Sequence, residues 1–280
     1  MAMITRKQFL AGTAGLVGAG VLSACGGGSS SGSSTASSST GTYTLVKEGT
    51  LTGVSDMAYP PLESIDEGST EPKGFEIDMM DALAKELGLT MAWLPPTKFD
   101  TIVPLIKQGG KADVGVSAFT INDERKEEID FTDSYLDSNQ GLATLASLQV
   151  EESDAAVKSL FDAADKKVAC QSGTTGRDWI RENLPNAQCV PLDDAIEAMN
   201  GMQTGSYDAV VADLPVLIHL CKESYTDCKV ALQIPTGEQY GIVVSKDNAK
   251  LTEALNKALA TIQENGTMDD LKKKWFNGEV

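Results

Sequence analysis

Apolar residues along the chain recur in two alternating patterns, short continuous runs and helical stripes. Leu51-Thr52-Gly53-Val54 closes a strand-like stretch from Thr44 to Ser55, and a Pro-rich loop follows at Tyr59-Pro60-Pro61. Ile77, Met80, Leu83, Ala84 and Leu87 share one helical face that stops at Gly88, a residue suited to the left-handed turn that ends a helix. Thr90 to Leu94 predicts a strand. Asp100 can cap a helix carrying Ile102, Val103, Leu105 and Ile106, with Pro104 tolerated near its first turn and Gly109 at its end. Val114-Gly115-Val116 is the next buried strand. This βαβαβ order predicts a parallel sheet with helices on its faces.

The rhythm restarts after about residue 143. Lys167 to Cys170 predicts a strand, Thr174 or Thr175 a cap for the helix holding Trp179, Ile180 and Leu184, and Gln188-Cys189-Val190 another strand. Asp193 or Asp194 can cap a helix with Ile196, Met199 and Met202. A strand from Asp208 to Ala212 and a strongly apolar helix from Leu214 to Cys221 come next. Lys229 to Ile234 and Tyr240 to Val244 predict strands. A helix with Leu251, Leu255, Leu259 and Ile262 ends at Gly266, and a last one opens on the capping box Thr267-x-x-Asp270. Two α/β units therefore follow, with no sequence repeat between them.

The first forty residues have a different pattern. Arg6 and Lys7 precede an apolar stretch from Phe9 to Ala24, shorter than the roughly 18 to 20 residues a bilayer-crossing helix needs, which reads as a signal-peptide core. Leu22-Ser23-Ala24-Cys25 resembles a bacterial lipobox, which makes residues 1–24 a lipoprotein signal peptide and Cys25 the lipidated first residue of the mature chain. Thr5-Arg6-Lys7-Gln8-Phe9-Leu10 resembles a twin-arginine motif with Lys in the second Arg position, so the export route stays open. From Gly26 to Gly41 every residue is Gly, Ser, Thr or Ala, too little apolar surface to offset the entropy of ordering. Residues 25–41 therefore read as a flexible tether of roughly 20 to 24 Å reach.

Composition narrows the chemistry. One His among 280 residues excludes His-rich metal sites, and a formal net charge of −17 with no basic stripe excludes nucleic acid as a partner. Arg6 and Lys7 are the only charges before residue 42, so the mature body is more acidic still. No metal or other cofactor is implied.

Ligands of open parallel sheets sit at the carboxyl ends of strands, beside helix N-termini. After Val114-Gly115-Val116 come Ser117, Thr120 and Arg125, the last in the opening turn of a helix that Asn122 can cap; a guanidinium there suits a carboxylate. After Val168-Ala169-Cys170 comes Gly173-Thr174-Thr175-Gly176, whose hydroxyls and turn amides can donate to the same anion. After Val210-Val211-Ala212 comes Asp213, a seat for an ammonium. Taken singly, each is more simply a surface charge, a turn or an N-cap. Their common placement at strand ends suggests a receptor for a zwitterion.

From about residue 50 onward the chain resembles the extracytoplasmic solute-binding proteins of family 3, the receptors of polar amino-acid ABC importers. The matching runs are Asp56-x-x-Tyr59-Pro60-Pro61-x-Glu63, Gly74 to Asp78, Thr120 to Lys126, Asp130 to Asp133, Gly173 to Gly176, Asp208 to Asp213 and Lys274-Trp275-Phe276. Phe119 and Leu62 depart from the residues common there, beside the pocket. The resemblance implies a bilobed periplasmic-binding-protein fold of the second type, with lobe 1 from residues 42–139 plus 238–280, lobe 2 from 140–237, and two hinge crossovers. It places the α-carboxylate on Arg125, helped by the Thr120 and Thr174 backbones, and the α-ammonium on Asp213. Tyr59 and Phe99 would flank the side chain, Asp56 would reach its polar end, and Ser117, Ala118 and Thr175 complete the set. A carboxylate at that end favours Arg, Lys, His or Gln.

The resemblance further implies a lipid-anchored monomer outside the cytoplasm that delivers its ligand to an ABC permease and is not an enzyme. A prephenate or arogenate dehydratase is the alternative on this fold, with Glu63 or Glu76 as its acid. Four Cys remain after Cys25. Cys221 with Cys228 is the favoured disulfide and Cys170 with Cys189 the second. His219 and the three Trp residues, Trp93, Trp179 and Trp275, read as packing.

Overall fold

The computed structural model describes residues 43–276, so the signal peptide, Cys25 and the tether lie outside the described residues. The chain runs β1 (Thr50–Val54), β2 (Ala58–Tyr59), β3 (Glu63–Ile65), β4 (Pro72–Lys73), α1 (Phe75–Glu86), β5 (Thr90–Trp93), α2 (Phe99–Gln108), β6 (Val114–Gly115), α3 (Asp123–Glu128) and β7 (Asp130–Phe131). It continues with β8 (Leu136–Leu145), α4 (Asp154–Phe161), β9 (Lys167–Gln171), α5 (Thr175–Asn183), β10 (Gln188–Leu192), α6 (Ala195–Gln203) and β11 (Ala209–Asp213). Then come α7 (Leu214–Glu223), β12 (Cys228–Tyr240), β13 (Val243–Val244), α8 (Ala249–Glu264) and α9 (Thr267–Phe276).

Two five-stranded sheets form, ordered β5-β1-β6-β13-β7 and β10-β9-β11-β8-β12. In each, the first three strands are parallel, as the alternating pattern predicts, and the last two add antiparallel pairs. Of the second sheet's antiparallel strands, β8 was not legible, and β12 runs past the expected Lys229–Ile234 to Tyr240, while Val243–Val244 pairs in the first sheet. The Pro-rich loop enters a small β2-β3-β4 sheet.

β8 and β12 pair along both sheets' boundary. Their register runs from Cys228↔Leu145 to Tyr240↔Leu136 and shifts between Ile234 and Glu238. Side chains fill that break: Asn139 Oδ1 accepts from Gly237 N at 3.0 Å and Thr236 Oγ1 accepts from Gln140 N at 3.2 Å. Gly237 takes a φ of 63°, which costs a glycine nothing.

Local signals mostly hold. Gly88 (φ 70°) follows the C-cap of α1, and the bonds Leu89 N to Ala84 O and Gly88 N to Lys85 O close a Schellman turn. Asn122, Thr174 and Asp194 cap α3, α5 and α6 through their side chains. Two caps differ. Lys98 holds the N-cap position of α2, with Asp100 inside the first turn, where its charge suits the helix dipole. Thr267 is already helical, and its N–H bonds to Asn265 Oδ1 in place of a capping box.

The core has three parts. One face of the first sheet packs on α1, α8 and α9, and this cluster runs through Tyr59, Tyr135 and Tyr240 to Ala169, Val210 and Leu217 in the second. Phe99, Ile102, Ile106 and Val243 fill the opposite face of the first sheet, and Leu142, Val157, Phe161 and Ile180 that of the second. The Leu251, Leu255, Leu259 and Ile262 stripe is buried as its spacing predicts, each side chain contributing ~1.5–3 kcal/mol.

Gly74 precedes α1 with φ 143° and ψ 172°, a region almost exclusive to glycine, and a Cβ there would stand 2.1 Å from Leu62 O. Gly74→Ala is expected to cost more than ~3 kcal/mol through strain and displaced backbone. Urea unfolding of the two proteins measures it; equal midpoints would show that the turn is not needed.

Candidate functional site

The residues singled out at strand ends converge where the two sheets face one another. Asn122 Oδ1 accepts from Arg125 N at 2.8 Å and so fixes the opening turn of α3. From there the guanidinium donates to Thr120 O at 2.9 Å and to Gly173 O at 3.1 Å, one carbonyl beyond β6 and one beyond β9. Its carbon stands 5.5 Å from the centroids of both Phe99 and Phe119, which are themselves stacked at 4.7 Å. Burial pulls the Arg125 pKa down, and the charges of Asp213 and Glu238 oppose that. Phe99 and the divergent Phe119 thus form a floor under the guanidinium.

Asp213 precedes α7, yet its side chain makes no capping bond, which removes the simplest alternative for an Asp before Pro215. Its carboxylate accepts from Gln140 Nε2, and its N–H donates to Tyr59 OH at 3.1 Å. Burial, then the Glu238 charge, pushes its carboxyl up to about 7. Asp56 accepts from Gln171 Nε2 at 2.7 Å, and burial pushes its carboxyl up to about 6, with Asp194, Asp193 and Asp100 adding to the rise. The Arg125 guanidinium and the Asp213 carboxylate are therefore electrostatic neighbours, and Asp56 has the acids Asp100, Asp193 and Asp194 around it.

The segment that follows β6 is held from beneath. Ser117 Oγ donates to Glu63 Oε1 at 2.5 Å, Ala118 N donates to Glu76 Oε1 at 2.9 Å, and Tyr135 OH also bonds Glu76. Ala118 has a φ of 48°, a strained value for a residue with a Cβ. Glu63 and Glu76 are both 0% exposed. Burial and the facing Glu76 push the Glu63 carboxyl well above the usual carboxylate range. Neither acid is presented to the cleft; both shape the backbone that is. Thr174 spends its hydroxyl on Gln171 O and the Arg177 N–H, leaving its backbone to the cleft, whereas Thr175 Oγ1 reaches Glu238.

Residues 51–278 match the bacterial extracellular solute-binding proteins, family 3. The chain belongs to that family. It is 30% identical over 241 residues to the L-cystine-binding protein TcyJ of Escherichia coli strain K12, covering 86% of this chain and 88% of TcyJ. An ancestral arginine-binding protein bound to arginine superposes with a TM-score of 0.75 at 32% identity, covering 81% of this chain and 98% of that one. An ancestral amino acid-binding protein described as a precursor of cyclohexadienyl dehydratase superposes with a TM-score of 0.74 at 33% identity over 81% and 96%. These neighbours fix the bilobed fold, with a lobe on each sheet. Membership of an extracellular family places the solute-binding protein outside the cytoplasm. Among the described residues no helix is long and apolar enough to cross a membrane, and no cluster of His, Cys, Asp and Glu could hold a metal.

Several site residues of this solute-binding protein escaped the sequence reading. Gln140, Gln171 and Glu238 lie inside strands or beside a register break, and only pairing partners reveal which way they point. Leu62 proves to be fully buried with Phe75 and Met79. The thiols of Cys170, Cys189, Cys221 and Cys228 are unbridged here; Cys170 Sγ and Cys189 Sγ stand 3.8 Å apart. His219 is half-buried on α7, and burial lowers its pKa.

Because the folded Asp56 carboxyl sits near 6 against an ordinary 3.8, its ionised form destabilises the empty protein above about pH 6. That cost fades as the pH falls through 6 and is gone below 3.8. Asp56→Asn is expected to stabilise the ligand-free protein at pH 8 by ~1–3 kcal/mol, at ~1.4 kcal/mol per pK unit and discounted for partial exposure. The gain should shrink towards pH 4 in thermal melts; a gain independent of pH would refute the assignment.

Proposed function

We propose that the protein is the extracytoplasmic receptor of an amino-acid ABC importer, binding a cationic or polar L-amino acid of the Arg, Lys, His and Gln class between its lobes. The observation that carries this is the charge layout: Arg125 and Asp213 suit an α-carboxylate and an α-ammonium, and Asp56 lies among further acids. Thr120, Thr174 and Thr175 would supply further polar contacts, and Tyr59 a flanking ring. Asp56, at about 6 while empty, would be neutralised by a cationic tip better than by the amide of Gln.

The lobes divide at residues 139/140 and 237/238, a reading supported by the break that separates Ile234 from Glu238 in the β8–β12 ladder. Cys25 carries a lipid, residues 25–41 tether a monomeric body to the membrane, and a permease receives the ligand. The protein binds without transforming. Both acids a dehydratase reading would use are sealed behind Ser117 and Ala118. Of the two disulfides, Cys170 with Cys189 is supported by contact of the thiols.

Calorimetric titration with the twenty L-amino acids and L-cystine tests the reading. Arginine, lysine, histidine or glutamine is expected to bind most tightly; preference for glutamate or leucine would overturn the role of Asp56. Arg125→Ala should lower affinity for every bound amino acid by at least about a hundredfold, since a buried charge pair loses ~3 kcal/mol or more when one partner goes. Retained affinity would reject the clamp.

A further inference from the structure

Glu238 was invisible to pattern reasoning, yet three donors from different parts of the chain converge on one of its oxygens. Thr120 Oγ1 donates to Glu238 Oε2 at 2.9 Å, Gln140 Nε2 at 3.0 Å and Thr175 Oγ1 at 3.1 Å. Thr120 follows β6 in the first lobe, Thr175 opens α5 in the second, and Glu238 rides on the crossover strand at its register break. Gln140 Nε2, with two protons to share among its neighbours, also stands 3.1 Å from Thr175 Oγ1. The same Gln140 nitrogen holds Asp213. The network thus joins Glu238 to the carboxylate that seats the ammonium.

A threonine hydroxyl has one proton and two lone pairs. An ionised carboxylate has no proton to give, so each hydroxyl that meets Glu238 must spend its own proton there. What remains for the cleft at Thr120 is an oxygen that can only accept. Thr120 Oγ1 and the Asp213 carboxylate, joined through Glu238 and Gln140, then stand as acceptors at the two ends of one network. An α-ammonium brings three donors to such acceptors, whereas an α-hydroxyl brings one together with lone pairs that face lone pairs.

We propose that Glu238 is a positioning residue for ligand recognition: by taking the hydroxyl protons of Thr120 and Thr175, it turns both threonines into acceptors and makes the cleft select an α-ammonium over an α-hydroxyl. The inference rests on the amino-acid reading above. It adds a selecting element that acts through Thr120, apart from the direct seat on Asp213. Glutamine at this position would reverse the polarity, because its amide N–H can donate to Thr120 and free the hydroxyl proton to point into the cleft.

The test compares the tightest amino acid of the panel, L-arginine on the present reading, with its α-hydroxy analogue, argininic acid, by calorimetry. Glu238→Gln is expected to weaken arginine binding at least about tenfold, with argininic acid changed less than about twofold, so that the preference collapses. Thr120→Val should collapse the preference by itself. Adding Glu238→Gln to Thr120→Val should then shift the ratio by less than about twofold, because the residue acts through the lost hydroxyl. If Glu238→Gln weakens both ligands equally, or if its effect persists undiminished in the Thr120→Val background, Glu238 is only a structural or long-range charge and the inference falls. If Glu238→Gln does not fold, as judged by its thermal melt, an unchanged preference in Thr120→Val rejects the inference and a collapsed one supports it. Failure of the unmodified protein to bind any amino acid overturns the underlying reading, whereas binding with an unaltered preference in the variants overturns this inference alone.

Discussion

A cation withdrawn from water has to be answered, and the two lobes are arranged around the withdrawn guanidinium of Arg125. Carbonyl oxygens beyond β6 and β9 take its protons, the faces of Phe99 and Phe119 cover it, and Asp213 and Glu238 offset the loss of solvent. Desolvating an ion costs several kcal/mol unless partners compensate. Burial above all lifts the Asp213 and Asp56 carboxyls from their ordinary values, and neighbouring acids add to the rise although Lys98 pairs with Asp193. The proposed ligand, with one carboxylate and at least one positive group, would bring each of these groups a partner of opposite sign.

Holding that arrangement requires a backbone that does not relax towards comfort. The residues that follow β6 run through a left-handed alanine, and they are pinned by Glu63 and Glu76 through a hydroxyl and an amide. Those acids are anchored in turn by the chain reversal at Gly74, after which Phe75 N donates to Pro61 O and Glu76 N to Leu62 O. Strain at the site is thus held by rigid groups beneath it.

The parallel strands and their helices were legible because buried parallel strands are continuous apolar runs and helices carry a 3.6-residue stripe. Arg125, Asp213 and the Thr174-Thr175 turn were legible for a related reason: polar residues directly after such runs must emerge at a sheet's carboxyl edge. Gln140 and Glu238 were not. Their strands are antiparallel, part exposed and interrupted in register, so neither period nor flanking turn announces which face they occupy. The cap of α2 was misread because Asp100 has the residue type of a cap, whereas the backbone is already helical from Phe99 and leaves Lys98 at that position.

The β8–β12 pair has a mechanical consequence. Two strands run side by side here and lose regular pairing at the same level, opposite Ser138 to Gln140. Side chains of Asn139 and Thr236 bridge the gap there with bonds that can lengthen independently. Two adjacent compliant points define a line, as the knuckles of a hinge define a pin. Rotation about that line would bend both strands in the same sense, whereas sliding would shear the paired residues on either side of the break. On the proposed division into lobes, movement about that line would be the one that brings Thr120 and Thr175 together or parts them.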